Sequence, residues 1–198
     1  HRQAILIIRI VAYRSGLMLK QIWDKLLDIL FPRICISCKR YLETKKESLL
    51  LCNKCFESVD IFKVIFRTNW GGKFLALGSY ENEVLKTTIH HLKYRGVGGA
   101  IEPIGRWLKQ YLTDLGVRNW IDKEMLIVPI PLHPARLRRR GFNQAQLIAE
   151  VLNDELGLNI ETGELKRIKN TEAQAEIKDR DKRKANVKDC FIADKEKF

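Results

Sequence analysis

The chain has 198 residues and a formal net charge of +12, from 36 Lys and Arg against 24 Asp and Glu. A hydrophobic content of 45% beside 30% charged residues excludes general disorder, and five cysteines are too few for a disulfide-dense scaffold. The length holds one ordinary domain plus a small module, and the basic excess, spread along the chain, points to an anionic partner: nucleic acid, a phosphorylated small molecule or a membrane surface.

The chain begins at His1 rather than Met, which reads as a missing start. The apolar run Ala4-Ile5-Leu6-Ile7-Ile8 is broken by Arg9 and Arg14, well short of the roughly 18–20 apolar residues that span a bilayer. No small-residue cleavage site follows it, so the expectation is a cytoplasmic protein with no membrane span. Residues 1–33 read as an amphipathic helix: Leu17, Ile22, Trp23, Leu26, Leu27 and Leu30 form one stripe, and Pro32 stops it. A helix that covers a core and a helix that lies on a membrane are both consistent with that stripe.

Residues 34–60 read as a metal module. Cys35-Ile-Ser-Cys38 and Cys52-Asn-Lys-Cys55 are two C-x2-C knuckles separated by 13 residues. Each knuckle offers two thiolates from a tight turn, and two knuckles complete a closed tetrahedral S4 site. Structural zinc suits this set, with a rubredoxin-type iron site as the alternative. Lys39, Arg40, Lys45, Lys46 and Lys54 surround the module, either as solvated surface or as a nucleic-acid-facing ribbon. The fifth cysteine, Cys190, sits among apolar residues and reads as core.

Further along, β-prone residues around Gly71-Gly72 predict a hairpin within 61–80, and the patterns over 82–95 and 101–115 predict helices. Met125-Leu-Ile-Val-Pro-Ile130 is a continuous apolar run, as in a parallel strand buried on both faces. A Pro- and Arg-rich loop and a helix over 143–156, capped by Gly157, follow it, which is the opening of a doubly wound α/β unit. A short strand is expected within 158–167, an exposed helix or loop over 169–188, and a last strand from Cys190.

The loop after the apolar strand is the candidate anion site, because ligands of open α/β sheets bind at the carboxyl ends of strands. Its prolines restrict the backbone, and the N-terminus of the helix starting near Asn143 opens on the same crevice. The composite reads as a phosphate or pyrophosphate cradle, with Arg136 within reach of an oxyanion. Arg138, Arg139 and Arg140 read equally as solvated turn. His133 reads either as a general acid or base or as a hydrogen-bonded residue that shapes the loop.

The cysteine knuckles, Ile89-His-His-Leu-Lys-Tyr-Arg-Gly96, Val128-Pro-Ile-Pro-Leu-His-Pro134 and Arg140-Gly-Phe-Asn-Gln144, in this order, closely resemble the competence protein F (ComF) family. The resemblance covers about residues 30–193 and extends through Lys166-Arg167, Asn170-Thr171, Gln174, Arg183, Asn186-Val187 and Phe191. It implies a zinc ribbon joined to a type I phosphoribosyltransferase-like domain with a doubly wound parallel sheet, over 61–198. Within that domain 61–123 would be a hood and 124–198 a partial α/β core. Leu132, His133, Pro134, Ala135 and Arg136 would be the pyrophosphate loop. Arg167, Lys169, Thr171, Gln174 and Arg183 would belong to the flexible loop that closes over the site.

One part of the family pattern is missing. Two adjacent acids followed by a Thr/Gly-rich turn, which would hold the ribose and the 5′-phosphate of phosphoribosyl pyrophosphate, do not occur before Phe198. The expectation is a C-terminally truncated chain, inactive as a transferase by itself. Three functions follow as alternatives. The first is a ComF-like protein acting in DNA uptake during natural competence, with single-stranded DNA or uptake proteins as partners. The second is a phosphoribosyltransferase of nucleotide salvage or synthesis, using phosphoribosyl pyrophosphate with Mg²⁺. The third is a non-catalytic zinc-ribbon nucleic-acid binder.

Overall fold

The computed structural model describes residues 23, 26, 27 and 30, and residues 32–42, 50–69, 71–94, 98–119 and 121–193. Trp23, Leu26, Leu27 and Leu30 are helical, with Leu27 buried and the other three exposed; the rest of the expected N-terminal helix lies outside the described residues. Residues 33–42 double back on themselves. Ile34 and Tyr41 make an antiparallel bridge, and the Cys35 and Leu42 amides each donate across it, to Arg40 O and Arg33 O, at 2.8 Å. Helix α1 (Asn53–Glu57) follows, with Cys52 as its N-cap.

Strands β1 (Ile65–Arg67) and β2 (Lys73–Leu75) form the expected hairpin, with Phe66 opposite Phe74. Gly71 turns it at φ +88°, a conformation that glycine adopts without steric cost. Helix α2 (Glu83–Tyr94) starts where Asn82 Oδ1 accepts the Val84 and Leu85 amides, both at 3.0 Å. Helix α3 (Ile101–Asp114) buries Ile104, Trp107, Tyr111 and Leu112 along one stripe. These helices and the cysteine module share one interior: Cys35, Leu51, Cys52, Cys55 and Val59 pack with Leu85, Leu92, Ile104 and Trp107.

The C-terminal part places β3 (Leu126–Ile127) beside β4 (Asn159–Ile160) in parallel. Their connection passes through α4 (Pro134–Arg140) and α5 (Gln144–Leu156), and a parallel pair joined through helices is the unit of α/β architecture. Strands β5 (Leu165–Arg167) and β6 (Phe191–Ala193) pair antiparallel, with α6 (Arg180–Val187) between them in the chain. The described residues thus make a mixed structure of helices and three two-stranded sheets, compatible with the α/β class. Among them no helix is long and apolar enough to cross a membrane.

Two local expectations are corrected. The 125–130 run is not a strand buried on both faces: only Leu126 and Ile127 pair, and Met125, Leu126 and Ile130 are each at least half exposed. Among the described residues β3 is paired on one edge only, with β4. The Pro- and Arg-rich loop, in turn, contains a helix. His133 caps it, Pro134 takes the first turn where its missing N–H costs nothing, and Gly141 ends it at φ +86°. Arg138, Arg139 and Arg140 fill its last turn, where the helix dipole favours cations.

Candidate metal centre and anion cavity

The four cysteines of the two knuckles converge. Their Sγ atoms all lie within 4.8 Å of one another, and the Cys38 and Cys52 sulfurs are 3.7 Å apart. A tetrahedral site with metal–sulfur bonds of about 2.3 Å has sulfur–sulfur edges of about 3.8 Å, so the cluster has the dimensions of an S4 site before any ion is placed in it. Cys35, Cys52 and Cys55 are buried and Cys38 is exposed. The α1 N-terminus contributes directly, since Cys52 Sγ accepts the Cys55 amide at 3.5 Å.

The protonation chemistry of the cluster asks for a cation. Burial pushes the Cys55 thiol up to about 12, and the neighbouring Cys52 and Cys38 thiols push the same way. At Cys35 burial also raises the thiol, but the Cys52, Cys38 and Ser37 amides outweigh it and bring it down to about 7. One sulfur ionises at the expense of its neighbours; four thiolates together need a divalent charge among them. The residues present fit a metal such as zinc. A set of four protein sulfurs leaves no open position, so the ion would fold the chain and perform no chemistry.

The second feature is a cavity of about 730 Å³ in the C-terminal part, lined from three separate segments. Leu132, Ala135 and Arg136 come from the expected pyrophosphate loop, and Arg167, Thr171 and Gln174 from the expected flexible loop. Lys93 and Tyr94 come from the end of α2, and Arg139, Arg140 and Gln144 from α4 and α5. Lys93, Arg136, Arg139, Arg140 and Arg167 thus face one carboxylate, Glu176. Lys93, Tyr94 and Gln144 join the lining without being legible as site residues in the sequence; their place inside the motifs Lys93-Tyr-Arg-Gly96 and Arg140-Gly-Phe-Asn-Gln144 is the available signal.

The cavity walls are tied together. Arg136 donates to Thr171 O, and Arg140 donates to Gln144 Oε1 and lies 5.8 Å over the Tyr94 ring. Arg167 donates to Thr171 Oγ1 at 2.7 Å and lies 5.4 Å over the Phe191 ring. Gln174 Nε2 donates to Arg183 O at 3.1 Å, which holds the 170–176 segment against α6. His133 and Pro134 act on the backbone instead: His133 Nδ1 accepts the Ala135 amide at 3.2 Å as helix cap. Lys169 and Arg183 stand outside the lining; Lys169 Nζ donates to Lys188 O at 3.3 Å, and Arg183 Nε donates to Ile177 O. Crowding among the cations is visible at Lys93, whose ammonium is held below the usual lysine range by burial first and by Arg140 second. Arg140 is lowered too, by burial and by Arg136 and Arg139, with Tyr94 opposing.

The described residues thus combine a four-cysteine cluster that could hold a metal with a polycationic cavity, on an α/β-compatible frame. The chain is similar in sequence to two proteins named as competence proteins. It is 30% identical over 130 residues to Competence protein ComFC of Bacillus subtilis, a match covering 61% of this chain and 52% of that protein. It is 25% identical over 178 residues to Competence protein F of Haemophilus influenzae, covering 79% of this chain and 75% of the relative. The match to the Bacillus protein thus spans about half of that relative's length. No family model matches the chain, and no solved structure matches it.

Proposed function

We propose that this chain is the metal-knuckle and anion-binding part of a ComF-like protein that acts in natural competence. In this reading its C-terminal region is of phosphoribosyltransferase type, and the cavity receives the pyrophosphate of phosphoribosyl pyrophosphate. The observation that carries the reading is the convergence of five cations from α2, α4 and β5 on one cavity with a single carboxylate. Charge-assisted hydrogen bonds from arginine forks are the chemistry that recognises phosphate oxygens. The parallel β3/β4 pair with helices in its connection suits the sheet this fold requires. The competence role comes from the names of the two relatives.

Isothermal titration of the metal-loaded chain with pyrophosphate, and with phosphoribosyl pyrophosphate plus Mg²⁺, tests the cavity. Saturable binding lost in Arg136→Ala is expected, and no heat at millimolar ligand overturns the assignment. Transformation frequency in a naturally competent host carrying Arg136→Ala tests the role: a drop is expected, and wild-type uptake sinks the competence reading.

A further inference from the structure

A second cavity, of about 440 Å³, lies between the first cysteine knuckle and α2. On the knuckle side it is lined by Ser37 and Lys39, and on the other by Tyr80, Lys86, Thr87 and His90. The helical residues among its lining, Glu83, Lys86, Thr87, His90 and His91, are spaced i, i+3, i+4, i+7 and i+8, so they form one stripe of α2. The opposite stripe, with Leu85 and Leu92, is buried in the core. A polar helical stripe ordinarily faces water; here it walls a recess against the metal module.

Lys39 is the telling residue. It has φ +65°, one of two non-glycine residues with positive φ among those described. A glycine would take that conformation at lower cost, by about 1–2 kcal/mol. The side chain folds back, and its ammonium donates to Ile36 O at 2.8 Å, which fixes the charge at the cavity instead of letting it sweep through solvent. The one carboxylate in the lining, Glu83, is already answered by Lys86 at 2.9 Å. The remaining polar side chains, Ser37, Lys39, Tyr80, Thr87, His90 and His91, can all donate hydrogen bonds.

We infer that this recess binds a small phosphomonoester carrying a ring, of the class of a nucleoside monophosphate. Lys39, Ser37 and Thr87 take the phosphate. The volume exceeds what inorganic phosphate needs and falls in the range of small-molecule sites. Tyr80, well exposed at the mouth, offers a ring face for stacking. The site is separate from the polycationic cavity and does not depend on its assignment. His90 lies in this recess and Tyr94 in the other, their rings 4.8 Å apart, so the two ligands would be neighbours along one helix.

The test uses the metal-loaded chain titrated with adenosine monophosphate, followed by calorimetry and by the histidine ring proton signals. Lys39→Gly is the informative variant: it places the residue suited to φ +65° in the turn while removing the ammonium. Metal stoichiometry and thermal stability are expected to hold or rise, while the affinity falls about tenfold or more, the worth of a charge-assisted hydrogen bond. Binding is expected to persist in Arg136→Ala, which disables the first cavity. Unchanged affinity in Lys39→Gly, or loss of all binding in Arg136→Ala, overturns the inference. So does binding of a 5′-phosphorylated oligonucleotide without binding of the mononucleotide.

Discussion

The indole of Trp107 lies nearly parallel to the ring of Phe56, centroids 5.2 Å apart, and its Nε1–H donates to Phe56 O at 3.1 Å. Arg106 covers the same Phe56 ring, with its guanidinium 4.1 Å from the centroid. Phe56 is in α1, directly after Cys55, and Trp107 is in the middle of α3. The contact therefore fastens the cysteine module to α3.

Trp107→Ala should cost about 3–5 kcal/mol, the usual range for emptying a large aromatic site, because Trp107 is fully buried. Trp107→Phe should keep a ring against Phe56 and cost less, losing the hydrogen bond, at about 1 kcal/mol, and the packing of the indole volume that a phenyl does not fill. Urea unfolding of the two variants separates the contributions. Equal losses for both would mean that the stacking carries nothing.

Removing the metal should lower the melting temperature and change Trp107 emission together, since the ligand cysteines and Trp107 share one interior. Cys38→Ser should do the same without a chelator, as one of four ligands is lost. Metal analysis alongside differential scanning fluorimetry checks both. Full thermal stability in a metal-free chain would show that the cluster contributes nothing to folding.

Pyrophosphate binding should weaken about tenfold or more in Arg136→Ala, and should fall steeply with salt in the wild type, because the attraction is between charges. Arg138→Ala should change little, since Arg138 is in α4 but not in the cavity lining. Titrations at two salt concentrations distinguish these outcomes.

Lys93 sets a pH dependence. Its folded-state value lies below its ordinary 10.5 through burial and then Arg140, so the unfolded chain holds this proton more tightly. Between the lowered value and 10.5 the unfolded state binds more protons, and stability from this group rises with pH. Lys93→Met should therefore stabilise the ligand-free protein and flatten that rise. It should weaken pyrophosphate binding at the same time, because the anion loses a cation that was costly to bury. Thermal melts between pH 7 and 10.5, paired with calorimetry, check the opposed signs; parallel changes would refute the account.

Much of this was legible in the sequence where local chemistry dominates. The C-x2-C spacing marked the four cysteines that converge, Gly71-Gly72 marked a hairpin, and Asn143 and Gly157 bounded α5 at the observed cap positions. What failed was tertiary. An apolar run such as Met125–Ile130 says nothing of how many neighbours its strand has, so its burial was overestimated. The α4 helix was hidden because His-Pro reads as a loop until histidine is seen capping through Nδ1. Lys93 and Tyr94 end α2, some 40 residues of chain before Arg136, and only packing brings them to the same cavity.

The shared interior of Leu51, Cys55, Leu92 and Trp107 also limits how this chain can be recombined. A knuckle that carries its own interior can be moved between proteins like a cassette. This one shares its interior with α2 and α3, so a chimera that exchanges it must exchange those helix faces with it. Substitutions at Leu85, Leu92 or Ile104 are then constrained by the fit to a metal turn far away in sequence.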